Sequence, residues 1–369
     1  MKIVLAVFQL EGRGGKERDC LAVARALRER GHEVAIATTS PATPDLDPLR
    51  VTTLPRQGSS NHARMRNFAR AVRAAIDAER PDAVLTFDRV PGADFHFAAD
   101  AAIAARKAGW RSWLPRRRTY LALERGVFAP PSQTRLFFLT ERQRDEYAAA
   151  YGLEPSRAIV LPLILHDERY DAATEPANRE RVRDELKLPR DAVVAVSVAV
   201  KPKQKGVDRT LAALADHPAL HLVIAGSSDG WIMQQARASN IAERVHVLPY
   251  VANVMDLMLA ADFLAHPARN EAAGQVIGEA LLAGTPAIVS AICGYADEVQ
   301  RSGAGLVIPE PFDPRGFSAQ LTIMLDRLPQ MQATAKAAAG RLQEQRGRWL
   351  AVIAETIEAE TAHKTNGPP

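Results

Sequence analysis

The chain has 369 residues, of which 47% are hydrophobic and 24% charged, and its formal net charge is +4. This length predicts two domains, because a single hydrophobic core rarely extends beyond about 250–300 residues. The composition is that of a folded globular protein and excludes a disordered or fibrous chain. The small positive charge permits contact with phosphates or an anionic membrane, but it does not require a nucleic acid partner.

The lengths of the apolar runs predict a cytoplasmic protein. Residues 3–8 are too few for the core of a signal peptide, and no later run reaches the roughly 20 apolar residues of a membrane span. Cys20 and Cys293 lie far apart and belong to no CxxC motif. Both are therefore expected to be small buried side chains rather than part of a disulfide or a metal site.

Short apolar runs alternate with amphipathic helical segments from the first residues onwards. A helix after the first strand places Cys20 and Leu27 on one face, and Gly31 ends it. Thr140 and Gln143 have the spacing of a capping box, which predicts the start of another helix. In this half of the chain, strands are predicted at 2–8, 34–38, 83–87, 135–139 and 159–163.

A second series of strands begins after the polar segment 171–187. These strands are predicted at 193–198, 220–225, 245–248, 263–265, 287–289 and 306–308, and residues 330–363 are predicted to be helical. Strands that alternate with helices predict two parallel, doubly wound sheets, so the fold class is α/β. In such folds ligands bind at the carboxyl ends of the strands, and candidate sites are sought there.

The strongest local signal follows the strand predicted at 263–265. Glu271 is expected in the loop after that strand, and Ala272, Ala273 and Gly274 are expected to present free amides at a helix start. Such amides bind phosphate or sugar oxygens. Glu279, eight residues after Glu271, could accept two hydrogen bonds from a ribose diol. On local pattern alone, two ordinary helical glutamates explain the sequence equally well.

This pair of glutamates resembles the donor motif of the family 4 retaining GT-B glycosyltransferases. Within that family, the chain is most similar to the lipopolysaccharide core glucosyltransferase I group. The matching segments run in family order and are Gly14-Gly15, Arg18-Asp19, Pro91-Gly92, Phe97-Ala98-Ala99-Asp100, Tyr120, Glu124-Arg125, Phe128, His266-Pro267-Ala268, Glu271-Ala272-Ala273-Gly274, Cys293-Gly294-Tyr295-Ala296 and Glu310-Pro311-Phe312.

The resemblance implies a GT-B fold with two Rossmann-like lobes around an interdomain cleft. The first lobe, 1–165, is expected to bind the acceptor, and a C-terminal helix, about 342–369, is expected to pack back onto it. The second lobe, 166–341, is expected to bind the nucleotide-sugar donor. Donor-binding roles are implied for the loop glycines Gly14 and Gly15, for Asp19 on the helix behind them and for Arg169 in the segment between the lobes. A bare turn is the alternative for the two glycines.

A lysine-rich loop follows the strand predicted at 193–198. A cation at this edge can neutralise a departing diphosphate, and the resemblance assigns that role to Lys205. The family also carries an arginine a few residues upstream, for which Lys201 or Lys203 could substitute, although lysine cannot make a bidentate contact. Simple solvation of these lysines is the alternative. For Asp100 the resemblance implies a place near the reacting carbon or the acceptor hydroxyl, and a helix cap is the alternative.

The segment from 110 to 120 interleaves aromatic residues with arginines. Trp110, Trp113, Arg116, Arg117 and Arg118 suit a membrane interface with anionic head groups or phosphorylated sugars. The same pattern could bind RNA by stacking and phosphate contacts, or it could be a solvated basic loop. In the resembling family the matching region lies on the inner membrane. We therefore expect a membrane surface and no nucleic acid.

Metal chemistry is not expected. Asp45-Leu46-Asp47 has the DxD spacing of manganese-dependent transferases, but it lies between two prolines in a predicted turn and not at a strand end. No cofactor is expected beyond the nucleotide-sugar substrate.

The resemblance implies transfer of a hexose, glucose from UDP-glucose, to a heptose of the lipopolysaccharide core at the cytoplasmic face of the inner membrane. The anomeric configuration would be retained. Three alternatives remain: a related GT-B transferase with another donor or acceptor, a non-catalytic two-lobed solute-binding protein, and an RNA-binding module.

Overall fold

The computed structural model describes residues 1–11, 14–41, 46, 48–105, 113–174, 179–251 and 253–366. The chain divides into two compact units. The first consists of Met1–Pro162 together with Arg348–Pro369, and the second of Leu163–Gly347. The chain passes from one unit to the other after Pro162 and after Gly347, a few residues from the expected bounds 165 and 341.

Each unit contains one parallel sheet. The strands are β1 Lys2–Ala6, β2 Glu33–Thr38, β3 Arg50–Thr53, β4 Ala83–Thr86, β5 Phe95–Ala98, β6 Arg135–Phe138, β7 Ala158–Val160, β8 Val193–Val198, β9 Leu220–Ala225, β10 Val245–Leu248, β11 Phe263–His266, β12 Ala287–Ser290 and β13 Gly305–Ile308. The first sheet has seven strands in the order β3-β2-β1-β4-β5-β6-β7, and the second has six in the order β10-β9-β8-β11-β12-β13. Neighbouring strands are parallel throughout.

Helices connect the parallel strands, as crossovers between them require. The helices are α1 Gly15–Glu29, α2 Asn61–Glu79, α3 Pro115–Phe128, α4 Glu141–Tyr151, α5 Asp167–Thr174, α6 Arg179–Glu185, α7 Val207–Leu214, α8 Gly230–Ala238, α9 Val254–Ala260, α10 Gln275–Leu282, α11 Ala296–Ser302, α12 Pro314–Asp326, α13 Leu328–Glu344 and α14 Arg348–Asn366. Within the described ranges, no helix is both long and apolar enough to span a bilayer.

Local sequence explains where several helices begin and which face they bury. Helix α1 buries Cys20 and Leu27, as the spacing predicts, and Gly31 follows it with φ at 86°. At α4, the Thr140 hydroxyl accepts from the Gln143 amide at 3.1 Å. The Gln143 side chain in turn accepts from the Leu139 amide at 2.9 Å. The predicted cap is therefore confirmed, with the second bond displaced by one residue from the usual box.

Two strands of the first sheet, β3 and β5, are absent from the sequence predictions. Strand β3 is an edge strand of four residues, Arg-Val-Thr-Thr, whose side chains are exposed or half-buried. It lacks the apolar run on which a buried strand is recognised. In β5 a histidine interrupts the apolar run, and its polar ring obscures a strand that is buried on both faces.

The last helix, α14, belongs to the first unit. Trp349 near its start is 1% exposed, and its ring lies 6.5 Å from that of Phe97 on β5. Further along, Glu358 accepts two hydrogen bonds from the guanidinium of Arg30, at 2.6 and 2.8 Å. The buried tryptophan contributes most to docking, because ion pairs on the surface stabilise by about 1 kcal/mol at most.

Candidate functional site

In the second unit, Glu271 lies at the centre of a small polar cluster. It occupies the loop between β11 and α10, where its Oε2 atom contacts Lys205 Nζ and lies 3.1 Å from His266 Nε2. Burial by itself would raise the pKa of Glu271, but the hydrogen bond from His266 and the charge of Lys205 outweigh it and hold the pKa at about 2. The carboxylate is therefore ionised at neutral pH, and its Oε1 atom makes no hydrogen bond to any described residue.

Close backbone packing joins the loop of Lys205 to the loop of Glu271. Gly206 has φ at 77°, and a Cβ atom there would lie 1.9 Å from the carbonyl oxygen of Pro267. Arg209 donates to the same carbonyl at 3.0 Å. Arg269 forms a bidentate pair with Asp208 at 2.6 and 2.7 Å. These contacts fix the distance between the lysine and the glutamate, and only glycine fits at the crossing point.

The helix after Glu271 begins one turn later than expected. Gly274 is the N-cap of α10, with φ at 87°, and the first helical residue is Gln275. Ala272 and Ala273 therefore precede the helix, which corrects the expectation that they form its start. The amides of residues 272–274 still make no hydrogen bond within the described part of the chain. They remain available as donors at the positive end of the helix.

Glu279, one turn into α10, is paired with Arg169 of α5. The Nε atom of Arg169 lies 2.9 Å from Glu279 Oε1, and both side chains are mostly buried. Beside this pair, Gly278 leaves room for Leu163, since a Cβ there would lie 2.8 Å from a methyl group of Leu163. The structure thus brings together the predicted residues of the second unit in two pairs, Lys205 with Glu271 and Arg169 with Glu279.

The other two lysines of the loop lie apart from this cluster. Lys201 is exposed, and so is Lys203, whose ammonium lies 5.3 Å above the ring of Trp231. Neither forms an ion pair with Glu271 among the described residues.

In the first unit, Asp100 belongs to a second charged cluster. Its Oδ2 atom lies 3.2 Å from Lys16 Nζ and 3.6 Å from a guanidinium nitrogen of Arg89. Lys16 also contacts Asp88 at 2.7 Å. Burial would raise the pKa of Asp100, but the two cations outweigh it and lower the pKa. Asp100 caps no helix among the described residues, so the alternative role of a helix cap is wrong for it.

Sequence reasoning missed three members of this cluster, Lys16, Asp88 and Arg89. A signal was available, because Lys16 directly follows the glycine pair Gly14-Gly15 and the other two follow a predicted strand. Recognition failed because their convergence depends on β1, β4 and β5 being adjacent, and strand order cannot be read from local sequence.

A fully buried glutamate holds Arg89 in place. Glu124 of α3 is 0% exposed and lies 2.9 Å from Arg89. It also accepts from the amides of Ile103 and Ala104 at 3.0 Å and from the Tyr151 hydroxyl at 2.8 Å. A buried carboxylate with this many partners is satisfied and rigid. It links the middle of α3 to the residues around Asp100.

His96 lies beneath the Asp100 cluster as a neutral side chain. Burial and the nearby Arg89 and Lys16 lower its pKa to about 3. Its Nδ1 atom lies 2.9 Å from the Thr86 hydroxyl, and its ring packs edge-on against Phe128. His96 therefore packs as a buried side chain of β5.

The remaining predicted residues of the first unit lie at the start of two helices. Gly14 is the N-cap of α1, Gly15 is its first residue, and Asp19 is buried one turn further on. Just before α3, Trp113 is 83% exposed. In the first turn of α3, Arg116 and Arg118 are exposed and Arg117 is half-buried. Trp110 lies outside the described residues, as do Asp45 and Asp47. Among the residues that are described, no group of three or more metal-ligating side chains converges.

Two family models match successive parts of the chain. Glycosyltransferase Family 4 matches residues 13–169, and Glycosyl transferases group 1 matches residues 178–341. The lipopolysaccharide glucosyltransferase WaaG of Escherichia coli (strain K12) is 30% identical over 348 residues, which cover 92% of this chain and 93% of WaaG. The crystal structure of WaaG, a glycosyltransferase involved in lipopolysaccharide biosynthesis, has a TM-score of 0.83 at 28% identity and covers 96% of this chain and 99% of its own.

A second relative matches a shorter part of the chain. The D-inositol 3-phosphate glycosyltransferase of Geodermatophilus obscurus is 31% identical over 243 residues, which are 61% of this chain but 53% of that enzyme.

The two parallel-sheet units and these matches define a glycosyltransferase of the GT-B class. The chain belongs to family 4 of these enzymes and is a relative of WaaG. The resemblance and the fold class inferred from the sequence are both confirmed. Membership of this family makes the chain an enzyme. The two non-enzymatic alternatives, a solute-binding protein and an RNA-binding module, do not fit it.

Proposed function

We propose that this chain is a retaining hexosyltransferase that transfers glucose from UDP-glucose to a heptose of the lipopolysaccharide core, without a metal. The single observation that carries the proposal is the presence of two ion pairs in the second unit, Lys205 with Glu271 and Arg169 with Glu279. They support a donor site of the kind the family uses. The name of WaaG supports glucose and lipopolysaccharide as the reactants.

Each side chain of the second unit has capacity left for the donor. Lys205 has three N–H donors, of which Glu271 takes one, so two remain for a diphosphate. Glu271 keeps its Oε1 atom for a sugar hydroxyl, and the amides of residues 272–274 can bind phosphate oxygens. Glu279 is oriented by Arg169 and accepts the two ribose hydroxyls.

The proposed reaction proceeds at the front face of the sugar. The acceptor hydroxyl attacks the anomeric carbon on the side from which the diphosphate departs, the bond to the phosphate oxygen breaks, and that oxygen takes the hydroxyl proton. Lys205 and the amides stabilise the charge that develops on the departing group. Glu271 takes no part as a nucleophile. Its low pKa keeps it a hydrogen-bond acceptor throughout.

We place the acceptor on the first unit and the enzyme at the cytoplasmic face of the inner membrane. Trp113 is exposed beside the arginines at the start of α3. Aromatic rings next to guanidinium groups suit the interface of an anionic bilayer. Asp100, held by Lys16 and Arg89 and half exposed, is ionised and suited to accept a hydrogen bond from a sugar hydroxyl.

Calorimetry of nucleotide binding, with EDTA present, tests the donor site. Wild type, Glu279→Ala and the exposed control Glu243→Ala are titrated with UDP, GDP, UDP-glucose, UDP-galactose and UDP-N-acetylglucosamine. We expect UDP but not GDP to bind, UDP-glucose to be preferred, and only Glu279→Ala to weaken binding, by about tenfold or more, as loss of hydrogen bonds to a charged group predicts. Absence of UDP binding by the folded wild type would refute the donor assignment.

A transfer reaction tests the acceptor and the stereochemistry. Purified lipopolysaccharide cut back to its inner core is incubated with labelled UDP-glucose, and the product linkage is determined by NMR. An α-linked product from the α-linked donor is expected, and a β-linked product would overturn retention.

A related transferase with another acceptor is the second candidate. It is favoured by the inositol-phosphate enzyme, which is as similar as WaaG over the part that it matches. Transfer to 1D-myo-inositol 3-phosphate in place of lipopolysaccharide would establish it.

A further inference from the structure

A small pocket lies in the first unit, next to the start of α1. It has a volume of about 340 Å³ and opens where β1 and β4 end. Ligand cavities are typically roughly 300–1,000 Å³, so this one suits a sugar unit rather than a whole nucleotide. The carboxyl ends of parallel strands are also where ligands bind in folds of this class.

The walls of the pocket combine apolar and charged side chains. Phe8, Met65 and Tyr120 form its apolar side, on which the C–H face of a sugar ring can pack. Lys16 and Asp88 form its polar floor, joined by the 2.7 Å ion pair, and Asp88 also accepts from the Phe8 amide at 2.7 Å. Lys16 is the same residue that contacts Asp100, so the floor is continuous with the proposed reacting end of the acceptor.

The cation on the floor is paired with carboxylates, whereas the cation at the rim is not. Lys16 lies between two carboxylates, and the carboxylate of Glu17 accepts from the Glu11 amide at 2.8 Å. Arg56 is exposed at the rim and has no carboxylate partner among the described residues. Its guanidinium carbon lies 5.7 Å from the centre of the Phe8 ring. A cation is thus presented beside the apolar wall with its hydrogen-bond donors unused by any acid.

The loop that carries Arg56 is fixed to α2 by three hydrogen bonds. The carbonyls of Gln57 and Gly58 accept from Asn67 at 3.1 Å and from Arg64 at 2.9 Å, and Ser60 caps the helix. Gly58 has φ at 125°, and a Cβ there would lie 2.8 Å from the Arg64 amide nitrogen. An arginine that only contacts water does not require a loop held in one conformation. A rigid loop, by contrast, reduces the entropy lost when a ligand binds to the side chain that it carries.

We propose that this pocket binds the acceptor's sugar and that Arg56 recognises an anionic substituent on it, a phosphate or a carboxylate. The guanidinium group pairs with either anion through two parallel hydrogen bonds. The anion sets the position of the sugar, and the ring then lies on Phe8 and Tyr120 with a hydroxyl towards Asp100. This inference rests on the proposed function, whose acceptor class it narrows.

The test compares Arg56→Gln with Arg70→Gln, an exposed arginine on α2 that does not line the pocket. The acceptor is inner-core lipopolysaccharide in three forms: untreated, dephosphorylated with hydrogen fluoride, and carboxyl-reduced. We measure KM and kcat for each form and the affinity for UDP. Arg56→Gln should raise the KM of the untreated acceptor about tenfold, the loss expected for one charge-assisted contact. UDP affinity should not change, and Arg70→Gln should match wild type.

The treated acceptors show which anion is bound. The treatment that removes it should raise the wild-type KM and abolish the difference between wild type and Arg56→Gln. An undiminished difference with both treated forms, or equal behaviour of the two variants, would overturn the inference while leaving the transferase intact. Wild type that binds UDP but uses none of the three acceptors would instead refute the proposed acceptor, and the inference with it.

Discussion

At the scale of single residues, Glu271 shows how a carboxylate can be kept ionised in a mostly buried place. Its Oε2 atom accepts from both His266 and Lys205, and these interactions exceed the cost of burial. A proton on this carboxyl would leave the lysine beside it without a partner. The charge state of the site is therefore built into the folded structure and does not depend on a bound substrate.

The low pKa of Glu271 predicts how stability depends on pH. The folded pKa is about 2, below the ordinary value of 4.5, so this carboxylate stabilises the fold fully above about pH 4.5. The contribution is lost as the pH falls from 4.5 towards 2, and at most it amounts to about 3 kcal/mol. Urea unfolding of wild type and Glu271→Gln at pH 6 and pH 3 measures it. The difference in free energy of unfolding between the two proteins should shrink at pH 3, and a constant difference would contradict the assignment.

At the scale of secondary-structure elements, the close approach of two loops at Gly206 positions Lys205 against Glu271. Gly206→Ala should cost about 2–3 kcal/mol of stability, because the new Cβ collides with Pro267 and the residue keeps a positive φ. To relieve the collision, the loop must move and carry Lys205 with it, which should weaken UDP binding about tenfold. Gly340→Ala is the matched control in α13, since a Cβ there meets no atom within 4 Å.

The control separates the loop crossing from a general effect of alanine. We expect Gly340→Ala to raise the free energy of unfolding by about 0.5–1 kcal/mol and to leave UDP binding unchanged. Similar behaviour of both variants in urea unfolding and calorimetry would show that the crossing does not position Lys205.

The start of α3 gives a second prediction at this scale. Replacing Arg116 and Arg118 by glutamine removes two exposed charges, each worth about 1 kcal/mol near an anionic surface. Sedimentation with phosphatidylglycerol-containing vesicles should show roughly thirtyfold weaker binding. Vesicles of phosphatidylcholine alone, and the exposed pair Arg25→Gln with Arg28→Gln in α1, serve as controls. Equal loss with the α1 variant would point to overall charge and away from α3.

The same scale shows how far sequence reasoning reaches. The predicted strands of the second sheet all occur within one residue of their positions, because buried parallel strands are continuous apolar runs. The pairing of Glu271 with Lys205 follows from two loops at neighbouring strand ends, β8 and β11. Lys16, Asp88 and Arg89 escaped prediction because their approach to Asp100 depends on long-range strand order. Arg56 escaped because an exposed arginine has no local signal.

At the scale of the whole molecule, α14 belongs to the first unit, although the residues directly before it in the chain belong to the second. Trp349→Ala should therefore destabilise the first unit selectively, by about 3–5 kcal/mol, since a large buried aromatic side chain is removed. Hydrogen exchange followed by mass spectrometry checks this. Exchange should accelerate in β5 and α1 and remain unchanged in β8 and β9. Faster exchange confined to the second unit would contradict the packing described.

The path of the chain through the two units also bears on how such enzymes diversify. The second unit is one uninterrupted segment, Leu163–Gly347, whereas the first takes its residues from both sides of it. A single exchange of that segment between relatives replaces every proposed donor residue of the second unit at once and leaves the hydrophobic core of the first unit complete. On the proposed assignment, the donor residues of the second unit can therefore be inherited or engineered together, whereas the first unit can be transplanted only by joining two separate pieces of sequence.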